Sequence, residues 1–245
     1  MMISKKVVVI GAGAAGLVAG ATAALYGASV TIIEKNKRVG RKIMITGKGR
    51  CNLANNCDVQ TFINNVPVNG RFLYSAINAF TPEDTIEFFE SKGLKTKTER
   101  GNRVFPASDK SVDVVDTMHD YAVESGCKIV CDTANALILE DGAVIGVKCE
   151  GNTYYADSVI ICCGGKSYPL TGSTGDGYTL AKQAGHTIVP LKPSLVPFTS
   201  GDKQCKDMQG LALKNVALRI VDKNSKKTVY SDFGEMLFTH FGMSG

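Results

Sequence analysis

The sequence has few of the side chains that support metal or hydrolytic chemistry. It contains only three histidines, and the positions of His119, His186 and His240 match no metal-ligand or catalytic-triad spacing. None of the eight cysteines belongs to a C-x-x-C pair, which excludes a dithiol redox centre and a zinc ribbon. We therefore expect no metal site, and we expect the cysteines to be small buried hydrophobes of a protein in the reducing cytoplasm.

A strong charge of one sign and an uninterrupted apolar segment are also missing. The net charge is +5 and 21% of the residues are charged, values that do not by themselves indicate a nucleic-acid or membrane partner. Residues 7–30 carry no charge, but five glycines interrupt them. The β-branched run at residues 7–10 therefore predicts a buried strand followed by a helix, not a signal peptide or a membrane span.

The first 34 residues contain a strand–helix–strand pattern with a glycine-rich turn. Lys5–Ile10 and Ser29–Glu34 predict strands, and the alanine-rich segment between them predicts a helix that ends near Gly27. The turn is GAGAAG at 11–16. A lone G-x-G-x-x-G is weak evidence, but here the motif continues in register to an acidic residue at the end of the second strand. The pattern predicts a dinucleotide-binding βαβ unit.

Each residue type in this motif has a physical role toward a dinucleotide. Gly11 permits the tight turn, and Gly13 lets a pyrophosphate approach the backbone. Gly16 allows close helix packing, and the helix N-terminus at Ala14 and Ala15 offers unpaired N–H groups to phosphate. We expect Glu34 to accept hydrogen bonds from an adenosine ribose.

The segment GRKIMITGKGRCNLANN at 40–56 allows three interpretations. A phosphate-binding P-loop fails to match, because Lys42 stands where a glycine is required and Gly49 follows Lys48. A nucleic-acid patch is conceivable, since seven Lys or Arg lie between 35 and 50, but no aromatic residue is interleaved there to stack bases. The third interpretation is a flavin-binding loop in which Arg41 and Lys42 meet the pyrophosphate. A single motif copy, with no early return to the sheet after Glu34, favours FAD over NAD as the main cofactor.

These motifs resemble those of the BaiN-type bacterial flavoproteins. The resemblance rests on 11–16, Glu34, GRKIMITGKGRCN at 40–52 and Asn55, and it extends through VFPASDKSVDVV at 104–115, CGGKSYPLTGSTGDGY at 163–178, KPSLVPF at 192–198 and GEMLFTHFGMSG at 234–245. That family contains FAD- and NAD(P)-dependent oxidoreductases, including bile-acid-inducible flavin reductases and enzymes described as aminoacetone oxidases. The resemblance implies an α/β fold: a glutathione-reductase-like FAD-binding Rossmann domain, with a parallel sheet and a three-stranded β-meander, plus the start of an inserted β-rich domain.

The motif and the resemblance together predict a set of cofactor contacts. Two interpretations of Arg50 and Lys48 stay open: one of them stabilises negative charge near the flavin ring, or both are solvated residues of the loop. Where the family usually has Ala-Thr, this chain has Cys162-Cys163, which we expect to pack as small residues. No general acid or base is identifiable. The predicted FAD contacts are Gly11, Gly13, Ala14, Ala15, Gly16, Glu34, Lys35, Arg41, Lys42, Thr46, Gly47, Gly49, Arg50, Cys51, Asn52, Ala134, Cys163, Gly164 and Gly165.

The resemblance also predicts how the rest of the chain is organised. We expect an FAD-binding domain over 1–190, incomplete because its C-terminal return segment is absent, and the first part of the inserted domain over 191–245. The missing return strand predicts an exposed sheet edge at 158–162. Further predictions are helices at 71–80, 82–92 with Thr81 as N-cap, 109–125, and 173–185 capped by Ser173 or Thr174.

The function implied is that of a flavoprotein oxidoreductase. FAD would pass reducing equivalents from NAD(P)H to a small organic acceptor or oxygen. A non-catalytic FAD-binding fragment and, less favoured, an RNA-modifying flavoenzyme are the alternatives. We expect a small-molecule substrate, no nucleic-acid partner and no membrane association.

Overall fold

The computed structural model describes residues 4–244, which divide into two compact units, one up to Ile188 and one from Val189 on. The strands of the first unit are β1 (Lys6–Ile10), β2 (Ser29–Glu34), β3 (Ala54–Asn55), β4 (Thr96–Glu99), β5 (Arg103–Pro106), β6 (Lys128–Cys131), β7 (Ala134–Glu140), β8 (Ala143–Cys149), β9 (Thr153–Tyr155) and β10 (Ser158–Ile161). Its helices are α1 (Ala14–Leu25), α2 (Arg41–Ile45), α3 (Val59–Asn64), α4 (Tyr74–Ala79), α5 (Pro82–Ser91), α6 (Ser111–Glu124) and α7 (Asp176–Gln183).

A four-stranded parallel sheet in the order β10-β1-β2-β6 forms the centre of the first unit. The β-branched residues of β1 and β2 alternate between its two faces, as a strand period of two requires. The turn after β1 is tied to the sheet, because the N–H of Gly11 donates to the carbonyl oxygen of Ile33 at 2.7 Å. This arrangement confirms the α/β fold class.

The sheet is covered on both faces. Val9 and Ile32 pack with Leu17 of α1 and with α5 and α6 on one face. On the other face, Val8 and Ile33 pack with α7 and with the antiparallel meander β7-β8-β9. Full burial of such side chains contributes about 1.5–3 kcal/mol each, so the two clusters account for the compactness of this unit. The three-stranded meander implied by the family resemblance is confirmed.

Helix α1 approaches the sheet closely because two of its residues lack a Cβ. A Cβ at Gly16 would lie 1.8 Å from the carbonyl oxygen of Gly11. A Cβ at Gly20 would lie 2.7 Å from Cδ1 of Ile32. Both distances are far below van der Waals contact, so the close helix packing expected from the motif requires glycine at these positions.

Strand β10 pairs with β1 and, among residues 4–244, has no partner on its other side. The sheet edge predicted at 158–162 is therefore confirmed for the part of the chain that the structure describes.

The local structure departs from the sequence-based expectations at three places. The segment between β2 and β6 holds a small antiparallel sheet, β3-β5-β4, which the sequence did not predict. The helix expected over 71–80 is a 3₁₀ turn, Gly70–Leu73, followed by α4. Helix α7 begins at Asp176 after Gly175, whose φ of 93° is left-handed and which gives no side-chain cap; Thr174 instead accepts a hydrogen bond from Lys35 and donates to Asp176.

The second unit is an antiparallel sheet with one short helix. Its elements are β11 (Phe198–Thr199), α8 (Lys203–Asp207), β12 (Ala212–Val221), β13 (Thr228–Thr239) and β14 (Gly242–Ser244). The strand order is β11-β14-β13-β12. Within residues 4–244, no helix has both the length and the apolar composition needed to cross a bilayer.

Candidate dinucleotide-binding site

A large cavity opens at the carboxyl ends of β1, β2 and β10, in front of the N-terminus of α1. Its volume is about 1130 Å³, slightly above the upper end of the range of about 300–1,000 Å³ typical of small-molecule pockets. Ligands of parallel α/β sheets bind at this edge. The predicted contacts that line it are Gly11, Gly13, Ala14, Ala15, Glu34, Lys35, Arg41, Lys42, Thr46, Cys51, Asn52, Ala134, Cys163 and Gly164.

The start of α1, which follows the glycine turn, lies at this cavity, and no side chain caps its first backbone N–H groups. Gly11 has a φ of 102°, and a Cβ there would lie 2.6 Å from the carbonyl oxygen of Cys162. Gly13, the N-cap residue, has no heavy atom within 4 Å of an added Cβ. Helix α1 has no side-chain cap and no acidic residue in its first turn. Its partial positive charge is therefore available to an anion.

The carboxylate of Glu34 is fixed at the end of β2 by three hydrogen bonds. Its Oε2 accepts from the N–H of Ala12 at 2.9 Å. Its Oε1 accepts from the backbone N–H and the side-chain Nδ2 of Asn36, at 2.9 and 2.6 Å. A carboxylate has about four acceptor positions, so one remains for a ligand hydroxyl.

The cations that the sequence assigned to the cofactor differ in their surroundings. The ammonium of Lys42 lines the cavity, near Gly164, and has no hydrogen-bond or ion-pair partner within residues 4–244. Arg41 donates to Oδ1 of Asn36 at 2.7 Å. Lys35 binds Oδ2 of Asp176 at 2.6 Å. Although burial opposes ionisation, the hydrogen bonds from Lys35 and Thr174 keep the pKa of Asp176 below its ordinary value.

The turn at 46–51, of which Thr46 and Cys51 line the cavity, contains a left-handed stretch of backbone. Gly47, Lys48, Gly49 and Cys51 have φ values of 55°, 59°, 86° and 60°. For residues other than glycine, this conformation costs about 1 kcal/mol or more each. Asn52, which follows the turn, is satisfied when its amide nitrogen faces the carbonyl oxygens of Ala54 and Val104, at 3.0 and 3.2 Å.

Five predicted contacts lie outside the cavity lining: Gly16, Gly47, Gly49, Arg50 and Gly165. Gly16 is buried under the turn that contains Gly11, and Gly165 lies close to the hydroxyl of Tyr178. Arg50 forms an ion pair with Glu99, and its Nε donates to Oδ1 of Asp109 at 2.7 Å. The structure therefore brings Arg50 to two protein carboxylates.

The thiols of the cavity are protonated groups. All eight cysteines are free, and Cys51 is buried whereas Cys131 is exposed. Burial raises the pKa of Cys51 and Cys162, and it raises the pKa of Cys163, together with the charge of Asp176, to about 11. Thiols with raised pKa values are poor nucleophiles. These cysteines therefore act in the cavity wall as small apolar side chains.

Two groups of lining residues were not among the individually predicted contacts. One lies within the block 163–178 that carries the family resemblance: Thr171, Gly172 and Ser173 of the loop before α7 and Asp176, the first residue of that helix, reach the cavity. The other is an apolar wall from α1, α5 and α6, with side chains that include Val18, Phe88, Val114, Met118 and Tyr121. The helical spacing of the last three residues was visible in the sequence, but it indicates only a buried face and not a cavity.

Comparison with known proteins agrees with this geometry. The family model described as HI0933-like protein Rossmann domain matches residues 5–244. The 3-dehydro-bile acid delta(4,6)-reductase of Clostridium scindens is 32% identical over 243 residues, covering 98% of this chain and 58% of the relative. The ribosomal RNA dihydrouridine synthase of Escherichia coli is 30% identical over 239 residues, covering 97% of this chain and 58% of the relative.

The chain thus spans 58% of the length of these curated relatives. Among solved structures, the open conformation of a flavocytochrome c3 fumarate reductase superposes with a TM-score of 0.58 at 20% identity, over 87% of this chain and 47% of that one. This likeness concerns the fold, which is that of the Rossmann-type FAD-binding domains. The match over almost the whole described chain and the glycine turn at the sheet edge lead to one assignment: the chain belongs to the HI0933-like Rossmann-domain family.

Proposed function

We propose that this chain forms the FAD-binding part of an oxidoreductase that passes reducing equivalents from NAD(P)H to a small organic acceptor or oxygen. One observation carries the proposal. The uncapped N-terminus of α1 and the ammonium of Lys42, for which residues 4–244 provide no partner, face the same cavity. A helix N-terminus together with a free cation is suited to a pyrophosphate.

The residues present fit the remaining parts of FAD. The open space around Gly13 admits the pyrophosphate close to the backbone. The free acceptor position of Glu34 suits a hydroxyl of the adenosine ribose. The left-handed turn that contains Cys51 would lie toward the flavin. The cavity volume of about 1130 Å³, with both Ala134 and Thr46 in the lining, is large enough for a dinucleotide.

Bound FAD supplies the two-electron chemistry between NAD(P)H and the acceptor. The residues of the chain bind and orient the cofactor. Burial raises the pKa of the Cys51 and Cys163 thiols, so both are in the protonated form near neutral pH. The apolar wall from α5 and α6 excludes water from one side of the cavity, which strengthens the electrostatic interactions inside it.

The names of the relatives support an acceptor with an activated carbon–carbon double bond. One relative is a delta(4,6)-reductase of a 3-dehydro-bile acid and another makes dihydrouridine in ribosomal RNA. Both names describe reduction of a C=C bond conjugated to a carbonyl group. The balanced reaction would add a hydride equivalent from NAD(P)H and a proton from solvent across that bond, and NAD(P)⁺ would leave.

The test is an anaerobic visible spectrum of the purified protein, before and after addition of NADH or NADPH. We expect a bound flavin band that bleaches with one of the two donors and returns when an enone acceptor or air is admitted. A flavin band that neither donor bleaches would favour the non-catalytic alternative. A protein that binds no flavin, even when FAD is added, would contradict the proposal.

A second candidate, an RNA-modifying flavoenzyme, is favoured by the dihydrouridine synthases of Escherichia coli and Haemophilus influenzae, each 30% identical. Against it, Lys35, Arg38 and Arg50 of the basic segment are paired with carboxylates. Filter binding to a ribosomal RNA fragment separates the candidates. RNA recognition predicts tight binding that weakens steeply between about 50 and 200 mM salt, whereas a small-molecule acceptor predicts weak binding throughout.

A further inference from the structure

The turn at 46–51 needs support from outside itself. Four of its six residues have left-handed backbone conformations. Its backbone hydrogen bonds include two within the turn, from the N–H of Arg50 to the carbonyl oxygen of Gly47 at 3.2 Å and from Cys51 to Thr46 at 3.0 Å. Hydrogen bonds within the turn would be unchanged if the whole turn tilted as a rigid body. They therefore do not fix the position of the turn in the cavity wall.

Arg50 joins this turn to two distant parts of the chain. Its guanidinium pairs with Glu99 on β4, and its Nε donates to Oδ1 of Asp109, in the turn before α6, at 2.7 Å. Lys97 binds the other oxygen of Asp109 at 2.5 Å. The carboxylates of Glu99 and Asp109 thus lie next to the cations Arg50 and Lys97. Only 33% of the surface of the Arg50 side chain is exposed.

The aromatic ring of Phe105 provides the second attachment. Cζ of Arg50 lies 4.0 Å from the ring centroid, a distance suited to a cation–π interaction. A Cβ at Gly47 would lie 3.1 Å from Cε1 of the same ring, so the turn and the ring are in close contact. Phe105 is only 4% exposed. One buried ring is therefore contacted by both Gly47 and Arg50 of the turn.

We propose that Arg50 is a positioning residue that holds the turn at 46–51 in the cavity wall through Glu99, Asp109 and Phe105. The inference rests on the proposed function only in taking FAD as the ligand of that wall. A single exposed ion pair contributes little to the stability of a folded protein. Here a planar guanidinium binds two carboxylates and covers a buried ring, which fixes its orientation as well as its position.

The test compares Arg50→Met and Arg50→Lys with Arg103→Met in the whole chain. Arg103 is a matched control because its Cζ lies 6.0 Å from the same Phe105 ring. Its Nε donates to the carbonyl oxygen of Arg100, and within residues 4–244 it forms no ion pair with the carboxylates that bind Arg50, although it lies opposite Glu99 in the β4–β5 pairing.

Three quantities are measured. The first needs no cofactor: the rate at which iodoacetamide alkylates Cys51, resolved by peptide mass spectrometry, with the buried thiol of Cys149 as internal reference. The others are the dissociation constant of FAD and the visible circular dichroism of the bound flavin. We expect Arg50→Met to accelerate alkylation of Cys51 and to weaken FAD binding, each by roughly tenfold, and to alter the dichroism. Arg50→Lys should recover part of the affinity, and Arg103→Met should match the wild type.

An unchanged alkylation rate of Cys51 in Arg50→Met would overturn the positioning role, whether or not FAD binds. If the wild type binds no FAD but Cys51 is still alkylated faster in Arg50→Met, the role of Arg50 in the turn is supported. Only the cofactor assignment is then overturned. If Arg50→Met does not fold, Asp109→Asn keeps the arginine and removes one of its charged partners. Asp109→Asn should then accelerate alkylation of Cys51 to a smaller extent, and an unchanged rate would again contradict the proposal.

Discussion

At the scale of single residues, the three glycines of the turn are required for different reasons. Gly11 has a left-handed backbone and a carbonyl oxygen 2.6 Å from where a Cβ would stand, and Gly16 would place a Cβ 1.8 Å from Gly11. Both are therefore required by the fold. Gly13 has neither constraint, since nothing lies within 4 Å of an added Cβ. The absence of a side chain there leaves room for a ligand.

We therefore predict that Gly13→Val weakens FAD binding by at least about tenfold, because the side chain fills the space next to the helix N-terminus. Because Gly13 is an N-cap residue with ordinary φ, the free energy of unfolding should change by less than about 1 kcal/mol. Gly201→Val is the matched control, since Gly201 also has open space around it. The measurements are flavin titration and urea unfolding. Unchanged FAD affinity in Gly13→Val would show that the ligand does not approach this backbone.

At the scale of elements, α5 depends on its N-terminal cap to present an apolar wall to the cavity. The hydroxyl of Thr81 accepts from the N–H of Asp84 at 3.1 Å, and Oδ2 of Asp84 accepts from the N–H of Thr81 at 2.7 Å. Pro82 occupies the first turn. Backbone N–H groups there have no partner inside the helix, so the N–H that proline lacks costs no hydrogen bond. The sequence alone predicted both Thr81 and the start of this helix, because capping depends on neighbours only three residues apart.

Thr81→Ala should lower the free energy of unfolding by about 1 kcal/mol near neutral pH. The hydrogen bonds from Thr81 lower the pKa of Asp84 below its ordinary value of 3.8. The ionised carboxylate of Asp84 therefore makes its full contribution to the free energy of unfolding above the unfolded pKa of about 3.9. That contribution is lost as the pH falls through the lower folded pKa. Urea unfolding at several pH values should show a smaller acid-induced loss in Thr81→Ala than in the wild type.

Thr117→Ala, inside α6, provides the control. The hydroxyl of Thr117 donates to a carbonyl oxygen within its own helix, and alanine is the better helix former. This variant should be as stable as the wild type. A loss of equal size in both variants would indicate that the capping interaction is not the cause.

At the scale of the whole molecule, the first unit is stabilised by burial on both faces of one parallel sheet. Helix α7 closes the face opposite α1, and Leu180 at its centre is 2% exposed. The same helix begins at Asp176, which lines the cavity and binds Lys35. Packing of this face and the shape of the cofactor cavity are therefore coupled through α7.

Leu180→Ala should lower the free energy of unfolding by about 2–5 kcal/mol, because it leaves a cavity between α7, the sheet and the meander. Leu170→Ala is the control, since Leu170 is 89% exposed, and its effect should stay within about 0.5 kcal/mol. Urea unfolding measures both. A change below 1 kcal/mol in Leu180→Ala would contradict the packing described for this face.

Some elements of the structure were predictable from the sequence and others were not. The strands β1 and β2 were predicted because buried parallel strands are short, continuous β-branched runs. The sheet β3-β5-β4 was missed, since strands of two to four residues carry no readable period and β3 pairs with a distant strand. Arg50 and Lys35 were placed at the cofactor, whereas their carboxylate partners lie 49 and 141 positions away in the chain.

The sequence by itself determined the dinucleotide turn and the family, because the turn depends on glycines at fixed short spacing and on the strand and helix beside them. Only the tertiary structure decided which cations face the cavity. Lysine and arginine side chains are long and flexible, and their partners are chosen by three-dimensional neighbours. Lys42 lines the cavity, whereas Arg50 is bound by carboxylates and an aromatic ring that the fold brings to it.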